Sequence, residues 1–297
     1  MKNTIQTAAD LLKKGELVAF PTETVYGLGA PIFNSVAIAK IFVAKGRPSD
    51  NPLIAHIASL SQVEEIAREI PADFYRLAEA FFPGPLTIVL KKHPQVPSIV
   101  SGGLDTIALR MPRHPIAHEL ILAVGEPLVA PSANLSGKPS STTAGHVKAD
   151  FGAKIGMVID GGKTEVGIES TVISLIEEPC LLRPGSITAE EIEKVLGKPL
   201  REAKRQEKHA SPGTRYRHYA PKARVKLFDE MEELKKYQDK FPKTQRMVIT
   251  FLKSSELYAL LRRADQEGDE EIIIYCSPAM QQNTALMDRL QKAANIF

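Results

Sequence analysis

The stretch "FPTETVYGLGA" (residues 20–30) continues an apolar run, residues 17–20, that is typical of a buried β-strand. The run ends at Pro21, and two hydroxyls, a carboxylate and a phenol then occur within residues 22–26, together with two nearby glycines. A plain turn needs Gly, Asn or Asp for its unusual backbone angles, but it does not need four hydrogen-bonding side chains. Because ligands in open α/β folds bind just beyond strand ends, the stretch predicts either a ligand-binding wall or a loop whose Thr and Glu side chains cap the next element.

Short runs rich in Val, Ile and Leu recur through the first two-thirds of the chain and predict further strands. Helical patterns lie between them, for example over residues 35–45 and 72–82. This mixture predicts an α/β fold with a twisted mixed sheet. The predicted strand segments are ELVAF, PLIAHI, LTIVLK, TIALRM, PLVAPS, GMVIDGG and STVISLI.

The pattern divides the chain into a first domain, a linker and a small second domain. The first domain is predicted over residues 1–202. Residues 203–224 are polar, lack apolar periodicity and contain Pro and Gly, which predicts a linker. Strand and helix patterns alternate over residues 225–297, and this alternation predicts a small parallel α/β domain of about three strands.

Positive charge is concentrated around the linker. Residues 201–224 contain eight Lys or Arg against two Glu, whereas residues 1–210 hold 23 basic and 23 acidic residues. A local basic segment suits a polyphosphate or an RNA backbone, and a solvated linker is the alternative.

The composition is that of an ordinary globular protein, because 43% of its 297 residues are hydrophobic and 25% are charged. No apolar run approaches the roughly 18 residues that a membrane span needs, so no membrane partner is expected. The two cysteines, Cys180 and Cys276, are far apart in strand-like contexts and are expected to be reduced. We therefore expect a cytoplasmic protein.

A second polar segment, residues 44–53, places Lys45 and Arg47 on either side of a glycine. Pro48 forces Arg47 into an extended conformation, so both cations are expected to lie along one loop. Arg binds phosphate through two hydrogen bonds and Lys acts as a point charge, which favours a triphosphate clamp. A basic helix C-terminus that complements the helix dipole is the alternative, and it leaves Arg47 unexplained.

Three further segments contain polar side chains in apolar surroundings. His56 lies in the run PLIAHI, where a hydrogen-bonded core histidine is the alternative to a functional one. Arg110 ends the run TIALR and needs an anionic partner, either a substrate carboxylate or a buried Asp or Glu. The segment APSANLSGKPSSTT (residues 130–143) is dense in hydroxyls and small residues, which let a ligand approach the backbone.

The motif inventory restricts the chemistry. The sequence contains no CxxC, HExxH, GxSxG or Walker A motif, which argues against zinc sites, covalent catalysis and a P-loop. The remaining hydroxyls, amides and cations suit a site that holds a nucleoside triphosphate and a small polar acid. An RNA-binding module is the competing hypothesis, but it predicts stacking aromatics on a basic face, and the chain has no Trp.

In their order along the chain, these segments resemble the Sua5/YrdC family of L-threonylcarbamoyladenylate synthases, with the small second domain of its long form. The matching segments are FPTETVYGLGA, Lys45-Gly46-Arg47, SDNPLIAHI, FFPGPLTIVL, DTIALRMPRHP, Ser132-Ala133-Asn134, GIESTVISL, LLRPGSI and SPGTRYRHYAP. The second domain is expected to be shorter than in typical long members. A related carbamoyl-adenylate enzyme would carry extra zinc-finger and acylphosphatase modules, which this sequence does not show.

The resemblance implies a reaction of L-threonine, bicarbonate or CO2, and ATP that yields threonylcarbamoyl-AMP and pyrophosphate for the t6A37 modification of tRNA. It implies Mg2+ on the phosphates, catalytic roles for Lys45 and Arg47 in neutralising the transition state, and a basic linker over the active site. It also leaves open a hand-over of the product to a transferase complex and a weak direct contact with tRNA. The implied threonine-binding residues are Thr24, His56, Arg110 and Ser170. The implied ATP-binding residues are Lys45, Arg47, Asn51, Thr106, Ser132, Asn134, Ser140, Arg183 and His218.

Overall fold

The computed structural model describes residues 2–204, residue 207 and residues 218–294. The linker predicted over residues 203–224 therefore lies largely outside the described residues. The strands before residue 204 are β1 (Val18–Phe20), β2 (Gly27–Pro31), β3 (Ile54–His56), β4 (Ala67–Arg68), β5 (Leu86–Lys92), β6 (Thr106–Arg110), β7 (Leu128–Val129), β8 (Met157–Val158), β9 (Thr171–Ser174), β10 (Cys180–Arg183) and β11 (Arg201–Glu202).

These strands form one mixed sheet, as the sequence predicts. Over the described part of the chain its eleven strands run in the order β11-β10-β9-β5-β6-β3-β7-β2-β1-β8, with β4 beside β5. The pairs β3–β6 and β5–β9 are parallel, whereas β5–β6 and β9–β10 are antiparallel. Because β3 and β6 are parallel neighbours, the residues that follow them lie at the same edge of the sheet.

Helices cover both faces of this sheet. One core cluster lies under α2 and α4, and a second one packs α1 and α6 against the other face. The helix α2 begins after the N-cap Asn34 and ends at Gly46, whose left-handed conformation stops it where the predicted cationic loop begins. The helices before residue 204 are α1 (Lys2–Lys13), α2 (Ser35–Lys45), α3 (Ser61–Ile66), α4 (Ala72–Phe81), α5 (Ser98–Ser101), α6 (Pro115–Val124), α7 (Ala144–Phe151) and α8 (Ala189–Leu196).

The strand β2 is a difference from the sequence analysis, which did not predict a strand at the two glycines of the opening stretch. β2 pairs antiparallel with β1 and brings Gly29 against the ring of Phe20. A Cβ atom at Gly29 would lie 2.8 Å from that ring, so only glycine lets the two strands pack this closely. Because glycine is depleted in strands, the residue pattern of this segment did not predict a strand.

The second unit has the small parallel sheet that the sequence predicts. Its strands are β12 (Arg224–Phe228), β13 (Arg246–Ile249) and β14 (Glu271–Tyr275), in the order β12-β14-β13. Both pairs are parallel. Its helices are α9 (Met231–Lys240), α10 (Leu257–Glu267), α11 (Pro278–Gln281) and α12 (Thr284–Ala293).

The second unit packs directly on the first one. Its apolar core includes Val25 and Ile168, which belong to the first unit, and Tyr219, which belongs to the described end of the predicted linker. Both cysteines, one in each unit, are free and buried. Among the described residues, no helix is long and apolar enough to cross a membrane.

Candidate functional site

A cleft opens at the edge of the large sheet where β3 and β6 end. It encloses about 720 Å³ of empty space, its open mouth included. His56 and Arg110 end these two strands and are register partners. The cleft is lined by Thr22, Thr24, Val25, Tyr26, Gly27, Lys45, Arg47, Pro52, Leu53, Ile54, His56, Arg110, Ala130, Pro131, Ser132, Asn134, Ser136, Gly137, Glu169, Ser170, Arg183, His218 and Tyr219.

The opening stretch forms one wall of this cleft. The hydroxyl of Thr22 lies 2.9 Å from that of Thr24, and it donates a 2.6 Å hydrogen bond to the carbonyl of Val25. The phenol of Tyr26 donates to the carbonyl of Gly162 at 2.8 Å. These side chains are buried, and Thr22, Thr24 and Tyr26 line the cleft. Of the two alternatives for this stretch, the structure therefore favours a wall of the cleft over a loop that only caps the next element.

Arg110 finds its anionic partner within the protein. Its Nη2 lies 2.7 Å from the carboxylate of Glu23, and both side chains are less than 5% exposed. Its Nη1 donates to the hydroxyl of Thr24 at 2.7 Å. Burial alone would raise the pKa of Glu23, but the charge of Arg110 and the hydrogen bonds to the carboxylate together outweigh burial and lower it. Of the two partners that the sequence left open, the structure therefore supplies the buried Glu.

Lys45 and Arg47 lie at the opposite side, where α2 ends. Nζ of Lys45 is buried and donates to the carbonyls of Ser132 and Asn134, at 2.6 Å and 2.5 Å. Burial and the neighbouring charge of Arg47 hold the pKa of Lys45 well below its usual value. Arg47 donates to the carbonyl of Pro52 at 3.0 Å. The predicted pair of cations is thus present on one side of the cleft.

The loop after β7 contributes polar atoms next to Lys45. The hydroxyl of Ser132 donates to the side-chain oxygen of Asn134 at 2.5 Å. The amide nitrogen of Asn134 then donates to the carbonyl of Lys138 at 2.9 Å. These bonds hold both side chains in place, and both residues line the cleft.

Ser170 and Arg183 meet where the antiparallel strands β9 and β10 lie side by side. The guanidinium of Arg183 donates twice to the carbonyl of Ser170, at 2.9 Å and 3.1 Å. The hydroxyl of Ser170 lies 2.7 Å from that of Thr87 on β5. Burial lowers the pKa of Arg183, which nevertheless remains a cation.

Two histidines of the cleft are neutral. Burial lowers the pKa of His56 to about 3, and the charge of Arg110 acts in the same direction. Burial likewise lowers the pKa of His218 to about 3, with a further contribution from Arg47. Nε2 of His218 is buried without a hydrogen-bond partner among the described residues. Neutral imidazoles can accept as well as donate hydrogen bonds, which suits substrate recognition.

Three residues that the resemblance assigns to ATP do not line the cleft, and their roles stay predictions. Thr106 begins β6, at the end of the strand remote from Arg110. The hydroxyl of Ser140 donates to Glu169 at 2.5 Å. Asn51 is buried, and neither atom of its side-chain amide has a hydrogen-bond partner among the described residues.

Sequence reasoning noted Glu23 without identifying its partner, and it missed Glu169, which lines the cleft directly before Ser170. The available signal for Glu169 was an acidic residue just before the apolar run of β9, because a buried charge requires a partner. It also assigned no role to Tyr219 in the cleft wall, whose position within the predicted linker gave no signal of its own.

Comparison with known proteins places the chain in a family. A family model described as "Telomere recombination", for Sua5, YciO and YrdC proteins, matches residues 10–185. A second model, described as "Threonylcarbamoyl-AMP synthase, C-terminal domain", matches residues 187–295. Both models together span nearly the whole chain.

Individual relatives agree with this assignment. The threonylcarbamoyl-AMP synthase of Pyrococcus abyssi is 45% identical over 98% of this chain and 94% of its own length. The synthase of Bacillus subtilis is 43% identical over 98% of this chain and 92% of its own length. The crystal structure of P. abyssi Sua5 in complex with L-threonine superimposes with a TM-score of 0.93 at 43% identity, over 100% of this chain and 95% of that one. The chain therefore belongs to the Sua5/YrdC family of threonylcarbamoyl-AMP synthases.

Proposed function

We propose that this protein converts L-threonine, bicarbonate or CO2, and ATP into L-threonylcarbamoyl-AMP and pyrophosphate. The amine of threonine reacts with the carbon of CO2 or bicarbonate and gives a carbamate, with loss of water in the case of bicarbonate. A carbamate oxygen then attacks the α-phosphorus of ATP, and the bond to pyrophosphate breaks. The observation that carries this proposal is that one cleft holds a hydroxyl-lined polar pocket beside a wall of cations.

The threonine is assigned to the pocket formed by Thr24, His56, Arg110 and Ser170. Two hydroxyls and a neutral imidazole can exchange hydrogen bonds with the substrate hydroxyl and amine. Arg110 can bind the substrate carboxylate through its guanidinium, although Glu23 already neutralises part of its charge. The threonine complex of the P. abyssi homologue supports the choice of amino acid.

The triphosphate is assigned to the cations that line the same cleft, Lys45 and Arg47 at the end of α2 and Arg183 beside Ser170. The charge that develops on the transferred phosphoryl group is stabilised mainly by positioned cations, and we assign this catalytic role to Lys45 and Arg47. Nε2 of His218, buried without a partner among the described residues, supports a further polar ligand near these cations, because buried polar atoms normally have partners. We assign no side chain as a general base.

Mg2+ is proposed to enter with ATP. In the described lining of the cleft the acidic residue is Glu169, and both of its oxygens already accept hydrogen bonds. Among the described residues no group of three or more His, Cys, Asp or Glu could hold a metal ion. Mg2+ commonly keeps several waters and binds substrate phosphates, so the phosphate oxygens of ATP would hold it here and it would neutralise their charge.

The product is proposed to supply the threonylcarbamoyl group for the t6A37 modification of tRNA, with a transferase complex as the receiving partner and the cytoplasm as the expected location. A mixed carbamic–phosphoric anhydride hydrolyses in water, so a prompt hand-over suits its chemistry. The basic segment after residue 201 is the part of the chain that we assign to covering the nucleotide.

The decisive experiment measures pyrophosphate release by the purified chain, with the nucleotide product identified by mass spectrometry. Pyrophosphate should form with threonine, bicarbonate, ATP and Mg2+ together, and it should fall to background when threonine or bicarbonate is omitted. Release that is independent of threonine would contradict the proposal. A product other than threonylcarbamoyl-AMP would assign the cleft to a different acid.

A further inference from the structure

Glu169 connects the two units of the protein through one buried carboxylate. Its Oε1 accepts a 2.5 Å hydrogen bond from Ser140 in the first unit. Its Oε2 accepts from the phenol of Tyr258 at 2.8 Å and from Nε of Arg289 at 3.0 Å, both in the second unit. Every side-chain oxygen of Glu169 is therefore used, and the two oxygens face different units.

Arg289 is the counterpart of this carboxylate. It projects from α12, its side chain is fully buried, and its guanidinium lies over the ring of Tyr219 at 5.6 Å. Beyond Glu169, its Nη1 donates to the carbonyl of Pro184 at 2.9 Å. Arg289 thus holds two separate segments of the first unit at once.

These two segments carry residues of the candidate site. Glu169 directly precedes Ser170, and Pro184 directly follows Arg183. Ser170 and Arg183 are themselves joined by hydrogen bonds of 2.9 Å and 3.1 Å. Arg289 therefore brackets the pair of residues that the proposed function uses for threonine and for ATP, without lining the cleft itself.

The electrostatics of the pair favour the charged forms. Burial alone would raise the pKa of Glu169, but the charges of Arg289 and Arg183 outweigh it and lower the pKa to about 2. Glu169 is consequently ionised across the working pH range. A fixed negative charge beside Arg183 helps to hold that guanidinium in one orientation.

We propose that Glu169 and Arg289 form a positioning pair through which the docked second unit sets the placement of Ser170 and Arg183. This inference rests on the proposed function. It gives the second unit a defined task in catalysis, because α12 reaches the strand ends of β9 and β10 from outside the cleft. Displacing these ends by even 1 Å is enough to cost roughly a hundredfold in rate.

The alternative is that the pair only stabilises the contact between the two units. The chain offers a second ion pair between the units as a control for that role. Arg262 on α10 forms a second buried ion pair between the units, 2.7 Å from Asp150 on α7. Arg262 also donates to the carbonyl of Pro139 at 2.6 Å. This second pair docks the same units, and in the first unit it contacts the loop before α7, close enough for its charges to act on Lys45, but not the segments that carry Ser170 and Arg183. The comparison between the two pairs is therefore made on threonine binding.

The test compares Glu169→Gln with Asp150→Asn in the full-length chain, because each change keeps the side-chain shape and removes one buried charge. We measure the melting temperature, kcat, the KM values for threonine and ATP, and the threonine Kd by calorimetry. Both variants should lower the melting temperature. Glu169→Gln should in addition raise both KM values and the threonine Kd roughly ten- to hundredfold, whereas Asp150→Asn should leave the threonine KM and Kd within about twofold of the unmodified chain.

Equal effects of the two variants on the threonine KM and Kd would overturn the proposal and leave a docking contact only. If Glu169→Gln does not fold, Tyr258→Phe removes a single hydrogen bond to the same carboxylate and should raise both KM values with little change in melting temperature. Unchanged KM values in Tyr258→Phe would then count against the positioning role. Failure of the unmodified chain to form threonylcarbamoyl-AMP would refute the proposed function instead, and threonine Kd values would still distinguish the two variants.

Discussion

Replacing Lys45 by Met tests the proposed phosphate wall at its most buried cation. The side chain is 3% exposed, and its Nζ is held by the carbonyls of Ser132 and Asn134. Met keeps the length and apolar stem of lysine and removes the charge. The substitution therefore asks what the charge does, with little change in packing.

The structure sets the size of the expected effects. A charge-assisted hydrogen bond to a phosphate contributes about 1.5–3 kcal/mol, so kcat/KM should fall roughly 10- to 150-fold. Folding should respond differently, since burial and the charge of Arg47 already disfavour the Lys45 cation and hold its pKa well below the usual value. The carbonyl of Ser132 keeps the hydrogen bond from the backbone of Asn134. We expect the melting temperature to change by less than about 3 °C in either direction.

The assay is pyrophosphate release at varied ATP, with the ATP Kd measured by calorimetry. The matched control is Lys40→Met on the same helix, because Lys40 is 43% exposed and pairs with Glu16 on the surface. The control should retain the full kcat/KM. A Lys45→Met protein that folds and turns over at the unmodified rate would refute the phosphate wall, and an equal loss in Lys40→Met would mean that the assay reports general helix damage.

Three further predictions follow from the same cleft. A site that hydrogen-bonds a substrate hydroxyl can reject the analogue that lacks it by about 10⁴–10⁵-fold, so kcat/KM for valine should be lower than that for threonine by about this factor. Equal product formation from the two amino acids would contradict a pocket that recognises the hydroxyl. The charges of the phosphates should raise the lowered pKa of Lys45, so ATP binding should be accompanied by proton uptake at alkaline pH. Calorimetry in buffers of different ionisation enthalpy measures this uptake, and Lys45→Met should abolish it. His56 and His218 each have a folded-state pKa of about 3 against 6.5 when unfolded, so each should lower the free energy of unfolding by up to about 1.4 kcal/mol per pH unit below pH 6.5. Urea unfolding that is independent of pH between 4.5 and 6.5 would contradict this.

Local sequence patterns predicted the elements that bury an apolar face of their own. The helix over residues 35–45 and the strands and helices after residue 225 lie where the periodicity places them. Such patterns work because each of these elements packs one apolar face on a core. The strand β2 escaped prediction because its glycines serve the close contact with Phe20, which is set by the neighbouring strand and not by the local pattern.

The sequence predicted many of the residue types in the cleft, but it predicted their spatial arrangement only in part. Residues that follow strand ends, such as those after β3 and β6, converge because the strands are parallel neighbours, and this is a consequence of topology that the sequence suggests. The pairing of Arg110 with Glu23 could not be read in the same way, because the two residues are brought together only when β1 and β6 take their places in the sheet. The sequence established that Arg110 needed an anion, and the fold decided which one.

The same limit explains why the contacts that dock the second unit could not be predicted from the sequence. Two of its arginines, Arg262 and Arg289, lie on amphipathic helices, where a basic residue normally indicates a solvated face. Both side chains are instead buried against carboxylates of the first unit, Asp150 and Glu169. Removing one partner of such a pair leaves an uncompensated buried charge and destabilises the folded protein by about 3–5 kcal/mol. Separation of the two units is therefore strongly unfavourable. A unit held this firmly is suited to supporting the walls of the cleft, and any opening that admits ATP must then come from a part of the chain other than this interface.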